Sequence, residues 1–235
     1  MSRARPTVVL FDIDGTLIRT GAAGSRALRR TFETLYGAPD APSRVDVRGN
    51  TDRRILRQAL AHAGEATDEA TLDRTLSHYL GVLADEVERS EGYQVLAGAR
   101  ELVVAATGAG FAVGLGTGNV ERGAAIKLGR SGLHPYFAFG GFGSDSEVRS
   151  ELVGHGARRG AERLGRSLDT CRVVVVGDTP HDVAAARAIG AEVLAVATGG
   201  HPVDDLGDAD VVVDSLAEVA ALAFLLGGAD DPPRR

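Results

Sequence analysis

Short β-branched and apolar runs, each bounded by glycine or aspartate, recur along the chain: TVVLFD (7–12), FAVGLGT (111–117), RVVVVGD (172–178), EVLAVA (192–197) and DVVVD (210–214). Such runs read as buried strands. Stretches with helical spacing fall at roughly 98–109, 119–132, 150–165, 180–190 and 214–226, so strand and helix alternate through the second half. Near-continuous apolar strands alternating with helices predict a parallel sheet covered on both faces.

The segment between the first two strands has another texture. Residues 23–37, 51–63 and 68–90 read as amphipathic helices rich in Ala, Leu, Arg and Glu, broken at GAPDAPS and around Gly64. The expected organisation is an α/β fold. A Rossmann-like parallel sheet core flanked by helices comprises residues 1–18 and 94–228, an inserted all-α cap 19–93, and a disordered tail 229–235. The glycine-bearing joins RTGAAG and SEGYQVLAG are expected to act as flexible hinges for the cap.

Composition narrows the setting. The chain has 235 residues, 44% of them hydrophobic and 25% charged, the balance of an ordinary globular protein. A net charge of −6 sets the general field against nucleic acid and anionic membrane. No apolar run approaches the roughly 18–20 residues that span a bilayer, and MSRARP leads into a strand without a secretory apolar region. A cytoplasmic location is therefore expected. The one cysteine, Cys171, precedes VVVV and reads as a small buried hydrophobe. Only one of the 26 basic residues, Lys127, is a lysine, so local positive charge elsewhere must come from arginine. Oligomeric state is not legible in any of these patterns.

Candidate chemistry enters with the strand ends. In an open parallel sheet ligands bind beyond the carboxyl ends of the strands. Asp12, Thr117 and Asp178 end three of the predicted strands. Two carboxylates meeting there repel each other unless a cation lies between them, and hard oxygen ligands suit Mg²⁺. Asp12 and Asp14, two residues apart, share a face if the chain stays extended. One can then attack a reacting centre while the other handles the proton. Gly15 permits a sharp turn and exposes its N–H, and Thr16 can fix the loop through its hydroxyl.

The segments DIDGT, GTGN and GDTPHD, in this order after successive strands, resemble the haloacid dehalogenase-like hydrolases, in particular their phosphoglycolate phosphatase-like branch with a helical cap. The resemblance spans about residues 7–214. It implies an Mg²⁺-dependent phosphatase that hydrolyses a small phosphomonoester through an aspartyl-phosphate on Asp12. Asp12 is then nucleophile and metal ligand, and Asp14 is general acid and base with its carbonyl on the metal. Thr117 binds a phosphoryl oxygen beside Gly118 and Asn119, Asp178 completes the protein's share of the metal shell, and Asp182 acts from behind it or through water.

Relatives of this family usually carry a lysine between the second and fourth motifs. Here Arg149, in SDSEVRSELV, stands at the expected interval and opens a helix, so it is expected to neutralise the phosphate and the nucleophile. Lys127 follows Thr117 by ten residues, too early in the chain, and reads as an exposed helix face. In the cap, VRGNTDRR (47–54) holds the most polar density. Arg48 can reach an anionic leaving group from there, whereas Asn50 or Thr51 reads as a helix cap. His181 reads as an exposed first-turn residue and GGFGSD (140–145) as a flexible loop. A sugar phosphomutase or a dehalogenase on the same scaffold are the enzymatic alternatives, and a phosphate-sensing module without turnover is the non-enzymatic one. Asp14 and Asp178 speak against the dehalogenase, which needs neither metal nor proton donor.

Overall fold

A computed structural model describes residues 5–227. The tail 229–235, expected to be disordered, lies outside the described residues. Six parallel strands form the sheet: β1 (Thr7–Phe11), β4 (Ala112–Thr117), β5 (Gly140–Phe142), β6 (Arg172–Gly177), β7 (Glu192–Val196) and β8 (Val211–Val213). Their order is β5-β4-β1-β6-β7-β8, which puts β1 in the middle, hydrogen-bonded to β4 on one side and β6 on the other. The chain therefore leaves β1 in one direction and returns across it, placing a crevice at the tips of β4, β1 and β6.

The alternation of side chains explains why both faces are apolar. Val9 and Phe11 of β1 point into a core shared with α4 (Ala99–Gly108), α5 (Glu121–Leu128) and α8 (Val219–Gly227). Val8 and Leu10 point the other way, into a core shared with α6 (Arg149–Arg163) and α7 (Pro180–Ala188). Cys171 is buried in this second core, as its sequence context predicted. The alternating strands and helices are thus the expected Rossmann-like α/β fold.

Three α-helices fall between residues 20 and 93: α1 (Ala23–Tyr36), α2 (Asp52–Ala63) and α3 (Glu69–Glu88). Each has local signals at its ends. Thr51 accepts a hydrogen bond from Arg54 N and Asp68 from Thr71 N, while Gly37 and Gly64 close α1 and α2 in the left-handed conformation. Phe32, Leu56, Leu60, Leu72 and Leu83 fill a third core between these helices.

Three strands differ from the sequence reading. The joins expected to be flexible overlap β2 (Ile18–Thr20) and contain β3 (Tyr93–Val95), which pair antiparallel, Ile18 opposite Val95 and Thr20 opposite Tyr93. The two crossings into the helical segment are therefore tied as a ribbon. GGFGSD is not a loop throughout, because Gly140–Phe142 forms the edge strand β5 against β4. Runs of three residues are too short to show a period of two, and glycine carries no strand preference.

Phe11 is fully buried and meets Phe137 edge-on with ring centroids 6.1 Å apart. Phe11→Ala is expected to lower the unfolding free energy by about 3–5 kcal/mol. Val104→Ala, at a position 45% exposed on α4, is expected to change it by about 0.5 kcal/mol or less. Equilibrium urea unfolding of the two variants checks the contrast.

Candidate active site

The end of β1 does not simply stop. Asp12 N still donates to Val176 O at 2.9 Å, and the chain then folds into a tight loop in which Leu17 N reaches Ile13 O and Gly15 N reaches Ile18 O, both at 2.9 Å. Gly15 sits at φ 83°, and a Cβ there would lie 2.4 Å from Asp178 Oδ2. Only glycine allows that approach. Thr16 is buried behind the loop and donates to Asp178 Oδ1 at 2.6 Å, tying the tip of β1 to the tip of β6.

The tips of β4 and β6 supply the rest. Asn119 turns back beside Thr117 at the end of β4, donating from Nδ2 to Thr117 Oγ1 at 2.8 Å and to Asp14 Oδ2 at 2.9 Å. Past Asp178, Thr179 and Asp182 cap each other at the start of α7, with Pro180 at its first position. Arg149, the first residue of α6, donates to Asp182 Oδ1 at 2.5 Å and lies 3.0 Å from Asp12 Oδ1. It is one-tenth exposed, so this cation sits inside the acidic cluster.

A cavity of about 600 Å³ opens over these tips. Of the residues singled out from sequence, Asp12, Asp14, Gly15, Arg48, Thr117, Gly118, Asn119, Arg149 and Asp178 line it. Thr16 and Asp182 stand behind the lining, the first on Asp178 and the second on Arg149. Arg48 is largely exposed at the rim, with only a surface contact to Asp46 at 3.5 Å. Thr51 caps α2 as its sequence context predicted, and His181 is exposed.

Lys127 departs from expectation. Read from sequence as an exposed helix residue, it is 7% exposed and its Nζ lies 2.7 Å from Asp14 Oδ2. The physical reason is directional. Side chains on a helix lean toward its N-terminus. Here α5 begins beside the strand tips, so a long chain from its second turn reaches back to them. Burial alone would push this lysine down, but Asp14, Tyr79 and Asp52 outweigh burial and hold it above its ordinary value.

Asp52 was also missed. It is buried at the start of α2, its backbone N donates to Gly118 O at 2.8 Å, and its Oδ2 accepts from Val120 N at 2.9 Å. A Cβ on Gly118 would stand 2.3 Å from Asn50 O, so the helical segment rests directly on this loop. Arg57 of α2 adds an ion pair to Glu147 before α6 at 2.6 Å. In sequence the signal was present but ambiguous, because Asp52 in the first turn of a helix serves the helix dipole whether or not it touches anything else.

The electrostatics leave the cluster short of positive charge. Asp12, Asp178 and Asp182 each present a carboxylate oxygen within 4.8 Å of the others. Asp12 is pushed up to about 6, chiefly by burial; Arg149 opposes the shift and Asp182 and Asp14 add to it. Asp178 is raised well above the usual carboxylate range by burial, then by Asp12 and Asp182. Asp182 already has Arg149 on one oxygen and Thr179 on the other. Asp12 and Asp178 are therefore the carboxylates best placed to hold a metal ion, and their hard oxygen donors fit one.

The sheet order, the crevice and this acidic cluster define an α/β protein whose strand tips could hold a metal ion. Residues 6–190 match the haloacid dehalogenase-like hydrolases. A phosphoglycolate phosphatase of Rhodospirillum rubrum is 31% identical over 238 residues, covering 96% of this chain and 94% of that protein. The probable phosphatase IndB of Dickeya dadantii is 25% identical, covering 93% and 94%. Among solved structures, CbbY from Rhodobacter sphaeroides in complex with phosphate superposes with a TM-score of 0.71 at 17% identity, covering 96% of this chain and 99% of that one. The chain belongs to the haloacid dehalogenase-like hydrolases and, with these relatives, to their phosphatases.

The raised acids predict how metal-free protein responds to pH. A carboxyl whose folded value lies above its unfolded one binds more protons when folded, so stability falls as pH rises between the two. For Asp12 that window runs from 3.8 to about 6. In chelator, the melting temperature is expected to fall across it, and a divalent cation is expected to raise it again above the window. Thermal scans of wild type and Asp12→Asn check this, the variant losing part of the slope.

Proposed function

We propose that this protein is a cytoplasmic, Mg²⁺-dependent phosphomonoesterase that hydrolyses a small soluble phosphate ester through an aspartyl-phosphate on Asp12. The observation that carries the reading is the meeting of Asp12 and Asp178, from adjacent strand tips, with the Arg149 guanidinium in one cavity. The phosphatase relatives support it. Asp12, Asp178 and the Asp14 carbonyl would hold the Mg²⁺, which when bound neutralises charge on the nucleophile and on the transferring phosphoryl group.

In the first step a carboxylate oxygen of Asp12 attacks phosphorus and the ester P–O bond breaks. Asp14 gives its proton to the leaving oxygen. In the second, Asp14 takes a proton from water, the water oxygen bonds to phosphorus, and the P–O bond to Asp12 breaks, restoring the carboxylate. Thr117 Oγ1 would hold a phosphoryl oxygen, whereas the Gly15 N–H, expected from sequence to be exposed, already donates to Ile18 O inside its own turn. Arg149 neutralises the same group, and Asp182 aims Arg149 through its bond to the guanidinium. Arg48 at the rim is suited to an anionic leaving group. Phosphoglycolate is the first ester to test, since the relative that is 31% identical bears that name. Neither nucleic acid nor membrane is a partner in this reading, and no helix among the described residues is long and apolar enough to cross a membrane.

Purified protein is expected to release inorganic phosphate from an aryl phosphate or phosphoglycolate with Mg²⁺ and to stop with chelator. Asp12→Asn is expected to lower kcat by roughly 10⁴-fold or more, the scale of losing a covalent nucleophile. A phosphate-release assay checks both. Undiminished turnover by Asp12→Asn removes the mechanism.

A further inference from the structure

In the proposed reaction Asp14 makes two proton transfers, and both require its carboxylate to be aimed. Two donors converge on one of its oxygens: Lys127 Nζ lies 2.7 Å and Asn119 Nδ2 2.9 Å from Oδ2. Among the described residues no hydrogen bond reaches Oδ1. The Asp14 side chain is 42% exposed, whereas that of Lys127, at the wall of the same cavity, is 9% exposed. A carboxylate held by one oxygen from the buried side has its rotation fixed, and the other oxygen is left for exchange with a ligand.

We infer that Lys127 is a positioning residue for the proton transfers, holding Asp14 by Oδ2 so that Oδ1 delivers the proton to the leaving group and accepts it from water. Asn119 shares this task and links it to Thr117, whose hydroxyl it holds at 2.8 Å, so the phosphoryl-binding and proton-handling groups keep one geometry. Desolvating the Lys127 cation is costly, and Asp14, Tyr79 and Asp52 offset the cost. The chain's single lysine is spent at this position, with Tyr79 lining the cavity on the same side.

The inference rests on the phosphatase reading and is tested separately from it. kcat/KM for an ester covers the steps up to departure of the leaving group, which an alkoxide needs protonated and an acidic phenol does not. Lys127→Met is expected to lower kcat/KM for an alkyl phosphate by about 10- to 10²-fold, at or below the lower end of the ~10²- to 10⁴-fold typical of general acids. For an activated aryl phosphate the loss is expected to stay below about threefold. In an Asp14→Asn background the same substitution is expected to add no further selectivity, since both act through one carboxylate. Lys127→Arg, which keeps the cation, is expected to recover part of the alkyl-ester rate. If the methionine variant lacks a thermal transition, Lys127→Gln carries the same comparison. Equal losses on both esters, no loss on either, or undiminished selectivity without Asp14 overturns the inference while leaving the phosphatase standing. A wild-type protein that releases no phosphate with Mg²⁺ removes both.

Discussion

Three carboxylates within 4.8 Å of one another, beneath the surface of a parallel sheet, repel strongly unless positive charge is brought among them. The strand tips of β1 and β6 force this encounter, because adjacent parallel strands end side by side. Arg149 meets part of the demand by lying against Asp12 and Asp182 together. The remainder shows in Asp12 and Asp178, which burial and mutual repulsion hold above the usual carboxylate range. An oxygen cluster this deficient in positive charge could hold a cation, and the surrounding loops keep the cluster together. Gly15 gives way to Asp178, Thr16 pins it, and the capping of α7 locks Asp182 behind Arg149.

The second charge system is separate and matched to it. Lys127, Asn119 and Asp14 form a buried-to-exposed chain of contacts beside the first cluster, and Asp52 closes it from α2. Each cluster thus has one internal cation, Arg149 beside Asp12 and Lys127 beside Asp14. The helical segment touches the second system directly through Asp52 N on Gly118 O, so docking of these helices and alignment of the Asn119 loop are one structural event. Leucines and alanines between α1, α2 and α3 give that segment a core of its own, which lets it present a cavity wall without borrowing the packing of the sheet.

Much of this was legible in the chain itself. Strand runs such as RVVVVGD are apolar along their whole length because both faces of the sheet are covered, and the acids that follow them mark the crevice. What was illegible was short or directional. β2, β3 and β5 are three residues each, below the length at which alternation becomes visible. Lys127 was misread because counting residues from Thr117 measures distance along a helix, whereas the lysine side chain runs back along it. Asp52 carries an unexceptional helix-start signature, and its contact with the Asn119 loop arises only once the helices dock.

A single cation held between the tips of β1 and β6 is the centre of the proposed reaction. Crystals grown with Mn²⁺, read by anomalous scattering, test that most directly. One ion touching both Asp12 and Asp178, with the Arg149 guanidinium still on Asp182, is the predicted result. An ion bound elsewhere, or none while Asp12 and Asp178 face apart, would contradict it.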